Sequence, residues 1–457
     1  MPSMLVRLLT IAALAGSPAA PDAAAPGASP AVAASPAQGV FPYPMHVSRL
    51  SSGLTLVVVP MDSGGLVAYR TAVRTGARDE YERGHTGFAH FFEHMMFRGT
   101  ERFPAEEYGR IVTEMGADAN AYTSSDLTVY QLDIAAEDLE RVMEIESDRF
   151  MNLSYSEEAF KTEAGAVYGE YRKSKASPSY WLYEKLLRVA FKRHTYAHMT
   201  IGFEADIKAM PTMYDYSKSF FSRYYRPENC IIIVVGDVEP SAVKAGVERY
   251  YGAWKPGYVA PKIKPEPVQK RERRARVKYP GKTLPRVIVG YKAGAANPDD
   301  RAWVASQVLA RLAFGQTSDV YRQLRLEQRV VQRISASPSS GRDPGLWSIS
   351  ATIKRGEDVE RVLAEIDKTV ARYRETPPAA DALAAVASNM KYSFLMGLDT
   401  PSAVAGRIAR MAAITGLPDA YDRMYAQLEQ VTPADVQRAA QAIFDDKRRT
   451  VVILEGE

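Results

Sequence analysis

Apolar residues recur along this chain with two different periods. Short runs that are apolar or alternate with polar residues predict β-strands: "LTLVVVP" from Leu54, "LVAYRTAV" from Leu66, "VYQLDIA" from Val129, "RVIVGYKAG" from Arg286 and "LWSISATI" from Leu346. Between them lie stretches whose apolar residues fall three and four apart, the spacing of one helix face. In "SEEAFKTEAGAVYGEYRKSK" that stripe is Phe160, Ala164, Val167 and Tyr171. Ser156 is placed to cap this helix, with Glu157 and Glu158 in its first turn, where the helix dipole favours negative charge.

The pattern occurs twice. "EDLERVMEIE" at Glu137 returns as "EDVERVLAEID" at Glu357, and "IIIVVGD" at Ile231 returns as "VVILEGE" at Val451, both displaced by 220 residues. Between these anchors the helical "YDYSKSFFSRYY" from Tyr214 lies over "ADVQRAAQAIFD" from Ala434 without a gap. A fixed offset of this length indicates duplication of a whole unit. The expectation is an α+β protein of two homologous domains, about 41–255 and 271–457, each a largely antiparallel sheet with helices packed on one face. A Pro-rich basic connector, 256–270, joins them.

Composition and charge add little to this until they are localised. With 457 residues, 46% hydrophobic and 25% charged, the chain has material for two globular domains. The net charge of +4 is concentrated, since residues 255–282 hold ten Lys/Arg against two Glu and the remainder has 48 basic residues against 52 acidic. A cluster confined to a connector reads as a solvated linker, so nucleic acid is not an expected partner. Residues 1–40, "MPSMLVRLLTIAALAGSPAAPDAAAPGASPAVAASPAQGV", carry one Arg, a short apolar run and then small residues, the pattern of a signal peptide followed by a spacer. That run is too short to span a bilayer and no other stretch reaches the roughly 18 apolar residues required, so stable membrane insertion is not expected. A periplasmic or secreted location follows. Cys230 is alone and opens "CIIIVVGD", where it reads as a small buried hydrophobe.

One segment breaks the hydrophobic logic. Residues 87–97, "GFAHFFEHMMF", are apolar nearly all round, which implies a buried helix, yet they include His90, Glu93 and His94. On a helix His90 and His94 lie about 40° apart on adjacent turns, with Glu93 beside them. Buried ionisable groups are costly unless paired or bound to metal. Two imidazoles four apart can chelate one divalent ion such as zinc, and a neighbouring Glu can hydrogen-bond a metal-bound water. A third ligand is needed, and Glu163 and Glu170 both fall on or beside the apolar stripe of their helix; the residues alone leave both open. His194 and His198 are also four apart but lack an intervening Glu and read as loop residues. The second copy has "VLARL" near the place of "HFFEH", so only the first domain carries the cluster.

With these residues in view, nearly everything after residue 41 resembles the pitrilysin family of inverted-motif zinc peptidases, which includes insulin-degrading enzyme and the mitochondrial processing peptidase. The resemblance is carried by "LSSGLTLVVVP", "TGARDEYERGHTGFAHFFEHMMFRGT", "GADANAYTSSDLTVY", Val167 with Glu170, "HTY...IG" and the duplication. It implies a processing-peptidase-like fold and one zinc held by His90, His94 and Glu170, with Glu93 as general base and Glu163 orienting a ligand or the water. It implies that Asn120, Ala121 and Tyr122 belong to an edge strand that takes an extended peptide by strand addition. It further implies Arg325 as a substrate or oxyanion contact from the second domain, with a Tyr seven residues later; position 332 is Gln instead. Half-length members of the family pair, so a homodimer, or a heterodimer with a homologous subunit, is expected. The alternative is a catalytically weak or silent subunit that binds peptides and pairs with an active sister chain.

Overall fold

The computed structural model describes residues 39–457, so the signal peptide and nearly all of the spacer lie outside the described residues. The first sheet is built from β1 (His46–Arg49), β2 (Thr55–Pro60), β3 (Leu66–Val73), β4 (Asp118–Thr123), β5 (Thr128–Ala135) and β6 (Cys230–Gly236), in the order β1-β2-β6-β3-β5-β4. The second contains β7 (Arg273–Tyr279), β8 (Arg286–Lys292), β9 (Val331–Ser337), β10 (Leu346–Ile353) and β11 (Arg449–Gly456), in the order β7-β11-β8-β10-β9. Without β1 the two orders coincide strand for strand. The directions coincide as well: β2 with β6 and β7 with β11 are parallel, and the other pairs are antiparallel.

The helices of the first half are α1 (Phe88–Met95), α2 (Ala105–Glu114), α3 (Leu139–Asn152), α4 (Glu157–Ser174), α5 (Pro178–Ala190), α6 (Glu204–Ala209), α7 (Tyr214–Tyr224) and α8 (Pro240–Tyr251). Those of the second half are α9 (Arg301–Phe314), α10 (Asp319–Tyr321), α11 (Val359–Glu375), α12 (Ala380–Leu395), α13 (Pro401–Thr415), α14 (Ala420–Leu428) and α15 (Pro433–Ile443). Helices α3 and α11 begin at equivalent positions of the repeat, as do α7 and α15 to within a residue.

Each sheet is covered on one face by helices of its own half. Leu56, Val58, Val67, Tyr69, Ile232 and Val234 share a core with Phe88, Phe91 and Phe92 of α1, Val142 of α3 and Phe160 of α4. The opposite face is buried too, by a helix from the other half. Val57, Ala68, Ala72, Ile231 and Ile233 pack in one cluster with Val404, Ala405, Ile408 and Ala409 of α13. In return Leu182 and Leu186 of α5 cover Ile288, Val452 and Leu454 of the second sheet. This exchange explains why β6, "CIIIVVG", is buried at every position, since a strand covered on both faces has no solvent side on which to place polar residues. By contrast the edge strand β7, "RRARVKY", alternates, with Arg274, Arg276 and Lys278 exposed. Arg274 and Arg276 pair with Glu360, so part of the basic cluster serves to blunt a sheet edge.

Polar contacts also cross the seam. Arg70, 1% exposed on β3, donates to Asp133 at 2.7 Å and to Ser402 of α13 at 2.7 Å. Arg78 and His194 from the first half converge on Asp343 of the second, at 2.6 and 2.9 Å. The connector is pinned by Glu266, which accepts the backbone N–H groups of Lys192, Arg193 and His194.

Candidate metal centre

Helix α1 is driven into the first core by its aromatic residues: Phe91 lies edge-on to Phe160 of α4 at 5.0 Å, and Phe92 stacks on Phe220 of α7 at 5.3 Å. Its start is fixed from two sides. Glu80, a buried residue, accepts the N–H groups of Gly87 and Ala89 at 2.8 and 2.7 Å, satisfying two donors that a helix N-terminus leaves without partners. Gly87 sits at φ 96°, and a Cβ there would lie 2.6 Å from the carbonyl oxygen of Ile201. The "IG" pair at 201–202 is therefore a backbone wedge against the start of the metal-motif helix.

Helix α4 is capped by Ser156, whose hydroxyl accepts the Ala159 N–H, and its stripe Phe160, Ala164, Val167 and Tyr171 is buried. This stripe seats α4 beside α1 and turns Glu163 and Glu170 toward the polar edge. The structure brings His90, His94 and Glu170 together, with one ligand atom from each lying within 4.8 Å of the others. His90 Nε2 is 3.6 Å and His94 Nε2 3.8 Å from Glu170 Oε2. These separations are long for hydrogen bonds and close to the roughly 3.4 Å expected between ligands that share one tetrahedral zinc at about 2.1 Å.

Glu163 has a different place. Its Oε1 is 2.7 Å from His94 Nδ1, while Oε2 accepts from the Arg98 guanidinium. His94 Nδ1–H thus donates to the Glu163 carboxylate, which leaves Nε2, buried and without a hydrogen-bond partner, facing Glu170. His90 Nδ1, across its ring, is likewise buried and unpartnered. A donor set of two imidazoles and one carboxylate with an orphaned buried nitrogen fits a zinc ion.

The electrostatics agree with that chemistry. Burial, with some help from His94, pulls the His90 imidazole down to about 3, which keeps it neutral. Burial also disfavours charge on His94, but the hydrogen bond to Glu163 and the surrounding carboxylates outweigh it and raise its pKa. The carboxylates of Glu163, Glu170 and Glu93 thus favour positive charge at His94. Burial holds the Glu170 carboxyl above its ordinary value, and it does the same for Glu93 against the opposing pull of Thr123.

Glu93 is 4% exposed and lies against Thr123, the last residue of β4. Asn120, Ala121 and Tyr122 lie on the same strand, paired to Gln131, Tyr130 and Val129 of β5. The other side of β4 is the free edge of the sheet. Arg325 sits on a π-helical turn, Arg322–Glu327, in the second half, and Gln332 is exposed on β9. Among the described residues no hydrogen bond or ion pair joins Arg325 to the triad. His194 and His198, read as loop residues, flank a single helical turn and are buried. His194 pairs with Asp343, and His198 donates to the Met199 carbonyl.

Sequence reasoning passed over Glu80 and Arg98, and gave Thr123 no role beside Glu93. Arg98 had a visible signal, being one helical turn beyond His94, at the i+4 spacing that puts side chains side by side.

The duplicated sheet-and-helix fold carries this triad in one half only, and comparison with known proteins gives its family. Residues 57–203 match the model described as "Insulinase (Peptidase family M16)", and residues 213–390 match "Peptidase M16 inactive domain". The chain is 30% identical to the zinc protease PqqE of Helicobacter pylori over 90% of its length and 93% of that protein. It is 23% identical to an uncharacterized zinc protease of Streptomyces coelicolor over 89% of its length and 88% of that protein. Among solved structures, a protease from Helicobacter pylori superposes with TM-score 0.82 at 27% identity, covering 90% of this chain and 99% of that one. The periplasmic protease PqqL from Escherichia coli has the same fold, with TM-score 0.72 at 19% identity, but 92% of this chain covers only 48% of that one. The chain belongs to peptidase family M16, a family of zinc proteases whose models include an inactive domain.

Proposed function

We propose that this protein is an exported zinc metalloendopeptidase that hydrolyses extended peptides or unfolded polypeptides. The observation that carries the reading is His94 Nε2, buried, unpartnered and converging with His90 on Glu170. His90, His94 and Glu170 would hold one zinc ion, which when bound acidifies water and polarises the scissile carbonyl. Glu93, with its affinity for protons raised by burial, accepts the proton of the attacking water and passes it to the leaving amine. Thr123 orients Glu93 and ties it to the strand on which substrate lies. An extended peptide adds to the free edge of β4 at Asn120, Ala121 and Tyr122 through main-chain hydrogen bonds, which require little of its sequence. Arg325 contributes positive charge from the second half once substrate bridges the two.

The division into a catalytic domain, 41–255, and a homologous domain without the motif, 271–457, is supported by one sheet of matching order within each. Export is supported by the composition of residues 1–40 and by the periplasmic protease among the structural neighbours. Pairing with a second copy or a sister chain is supported by PqqL, in which a unit of this size makes up about half of the chain. Gln332, where the resemblance implies Tyr, favours a second reading: a weak or silent subunit that binds peptide and pairs with an active chain.

Purified protein should contain stoichiometric zinc and cleave a quenched peptide in a chelator-sensitive way. Glu93→Gln should keep the zinc and lose at least about 100-fold in turnover, the usual minimum for a general base, whereas His94→Ala should lose both. Undiminished turnover in Glu93→Gln would remove Glu93 from the mechanism. Zinc without turnover in the unaltered protein would select the silent-subunit reading.

A further inference from the structure

We propose that Arg98 is a positioning residue for the metal centre, acting through Glu163; the inference rests on the reading of His90, His94 and Glu170 as zinc ligands. Glu163 is 6% exposed, on the buried side of α4, and its two oxygens do different work. Oε1 meets His94 Nδ1 at 2.7 Å, and Oε2 meets Arg98 Nε at 2.8 Å, with the Arg98 Nη2 on the same oxygen. His94 and Arg98 are the partners of this carboxylate among the described residues.

A carboxylate held at one oxygen alone can turn about its terminal torsion, which is broad and roughly two-fold. Gripping Oε2 with two N–H groups removes that freedom, aims Oε1 at Nδ1 and fixes the imidazole tautomer whose Nε2 lone pair faces Glu170. The clamp is preset by the backbone. Arg98 ends the single turn Met96–Arg98 that continues α1, one turn beyond His94, and Gly99 follows at φ 81°. A Cβ at Gly99 would lie 2.4 Å from the Phe103 carbonyl oxygen, so the chain must turn at this point and the guanidinium is delivered back toward α4. One continuous segment therefore supplies both the ligand and the cation that steadies its partner.

Arg98 is 39% exposed, and its removal leaves the buried Glu163 still paired with His94, so the cost to global stability should be modest. Its effect should appear in metal affinity. Removing groups that orient a metal ligand typically weakens binding about 10- to 100-fold, and Arg98→Met should fall at the lower end because Glu163 remains. Arg98→Lys keeps a point charge for Oε2 and should recover most of the loss.

The test is zinc affinity of the full chain by competition with a chromophoric chelator, together with thermal unfolding of the zinc-free proteins. The expected result is zinc binding about 10-fold weaker in Arg98→Met and within about 3-fold of the unaltered protein in Arg98→Lys, with unfolding temperatures nearly unchanged. In a Glu163→Gln background the Arg98→Met change should weaken binding by less than about 3-fold, because the group through which it acts is altered. Unchanged affinity in Arg98→Met, or an equal loss in both backgrounds, overturns the proposal while leaving the zinc reading intact. Absence of zinc binding by the unaltered protein overturns both.

Discussion

Gly87→Ala tests whether the metal helix is set by a backbone wedge. Gly87 is held at φ 96°, a conformation that costs an L-residue about 1–3 kcal/mol. The added Cβ would also sit 2.6 Å from the Ile201 carbonyl oxygen, and no side-chain rotation can relieve a clash with backbone. Yielding there means moving α1 or the 201–202 segment, at a further cost of about 1–3 kcal/mol. The expected loss is therefore about 2–6 kcal/mol in urea unfolding by linear extrapolation. Any relief by movement of α1 also shifts His90, one turn along, so zinc affinity should fall at the same time. Gly165→Ala is the control: Gly165 lies in the exposed face of α4 with nothing within 4 Å of a new Cβ, and the change should stabilise by about 0.5–1 kcal/mol. A loss below about 1 kcal/mol in Gly87→Ala, with zinc affinity unchanged, would refute the argument.

Two further outcomes follow from the seam between the halves. Asp343 is held below the ordinary aspartate range: burial opposes this, but the hydrogen bonds from His194 and Arg78 prevail. A depressed acid contributes stability that is present above its unfolded value of about 4 and is lost as pH falls through its folded value. Asp343→Asn should thus cost about 1–3 kcal/mol at neutral pH, with the difference from the unaltered protein shrinking in acid below about pH 4; a pH-independent difference would contradict the pairing. Ile408→Ala, in the fully buried centre of α13, should cost about 2–5 kcal/mol, and hydrogen exchange should rise in β3 of the first half as well as in the second. A rise confined to the second half would deny that α13 belongs to both cores.

Much of this arrangement is legible in the sequence. The two periods and the 220-residue repeat were enough to expect two sheets of one design, because strand and helix signals survive in single residues such as Val451 over Ile231. His90, Glu93 and His94 were conspicuous because charge in an apolar helix demands a reason. What could not be read was anything set by tertiary placement. The all-buried run of β6 signals cover on both faces but does not say that the second cover, α13, comes from the other half. The choice between Glu163 and Glu170 needs either the family resemblance or the packing of α4 on α1, since both lie near the same stripe. The i+4 spacing places Arg98 beside His94, but its role depends on where Glu163 points. Arg325 and Gln332 were assigned by resemblance alone, and their positions relative to bound substrate depend on a peptide lying between the halves.

The central claim is that His90, His94 and Glu170 share one metal ion. Anomalous scattering from crystals of the zinc-loaded protein, measured on both sides of the zinc absorption edge, tests it most directly. The account predicts a single strong site about 2.0–2.2 Å from one nitrogen of each imidazole and one Glu170 oxygen. A zinc peak elsewhere, or these three side chains turned apart with no peak between them, would contradict it.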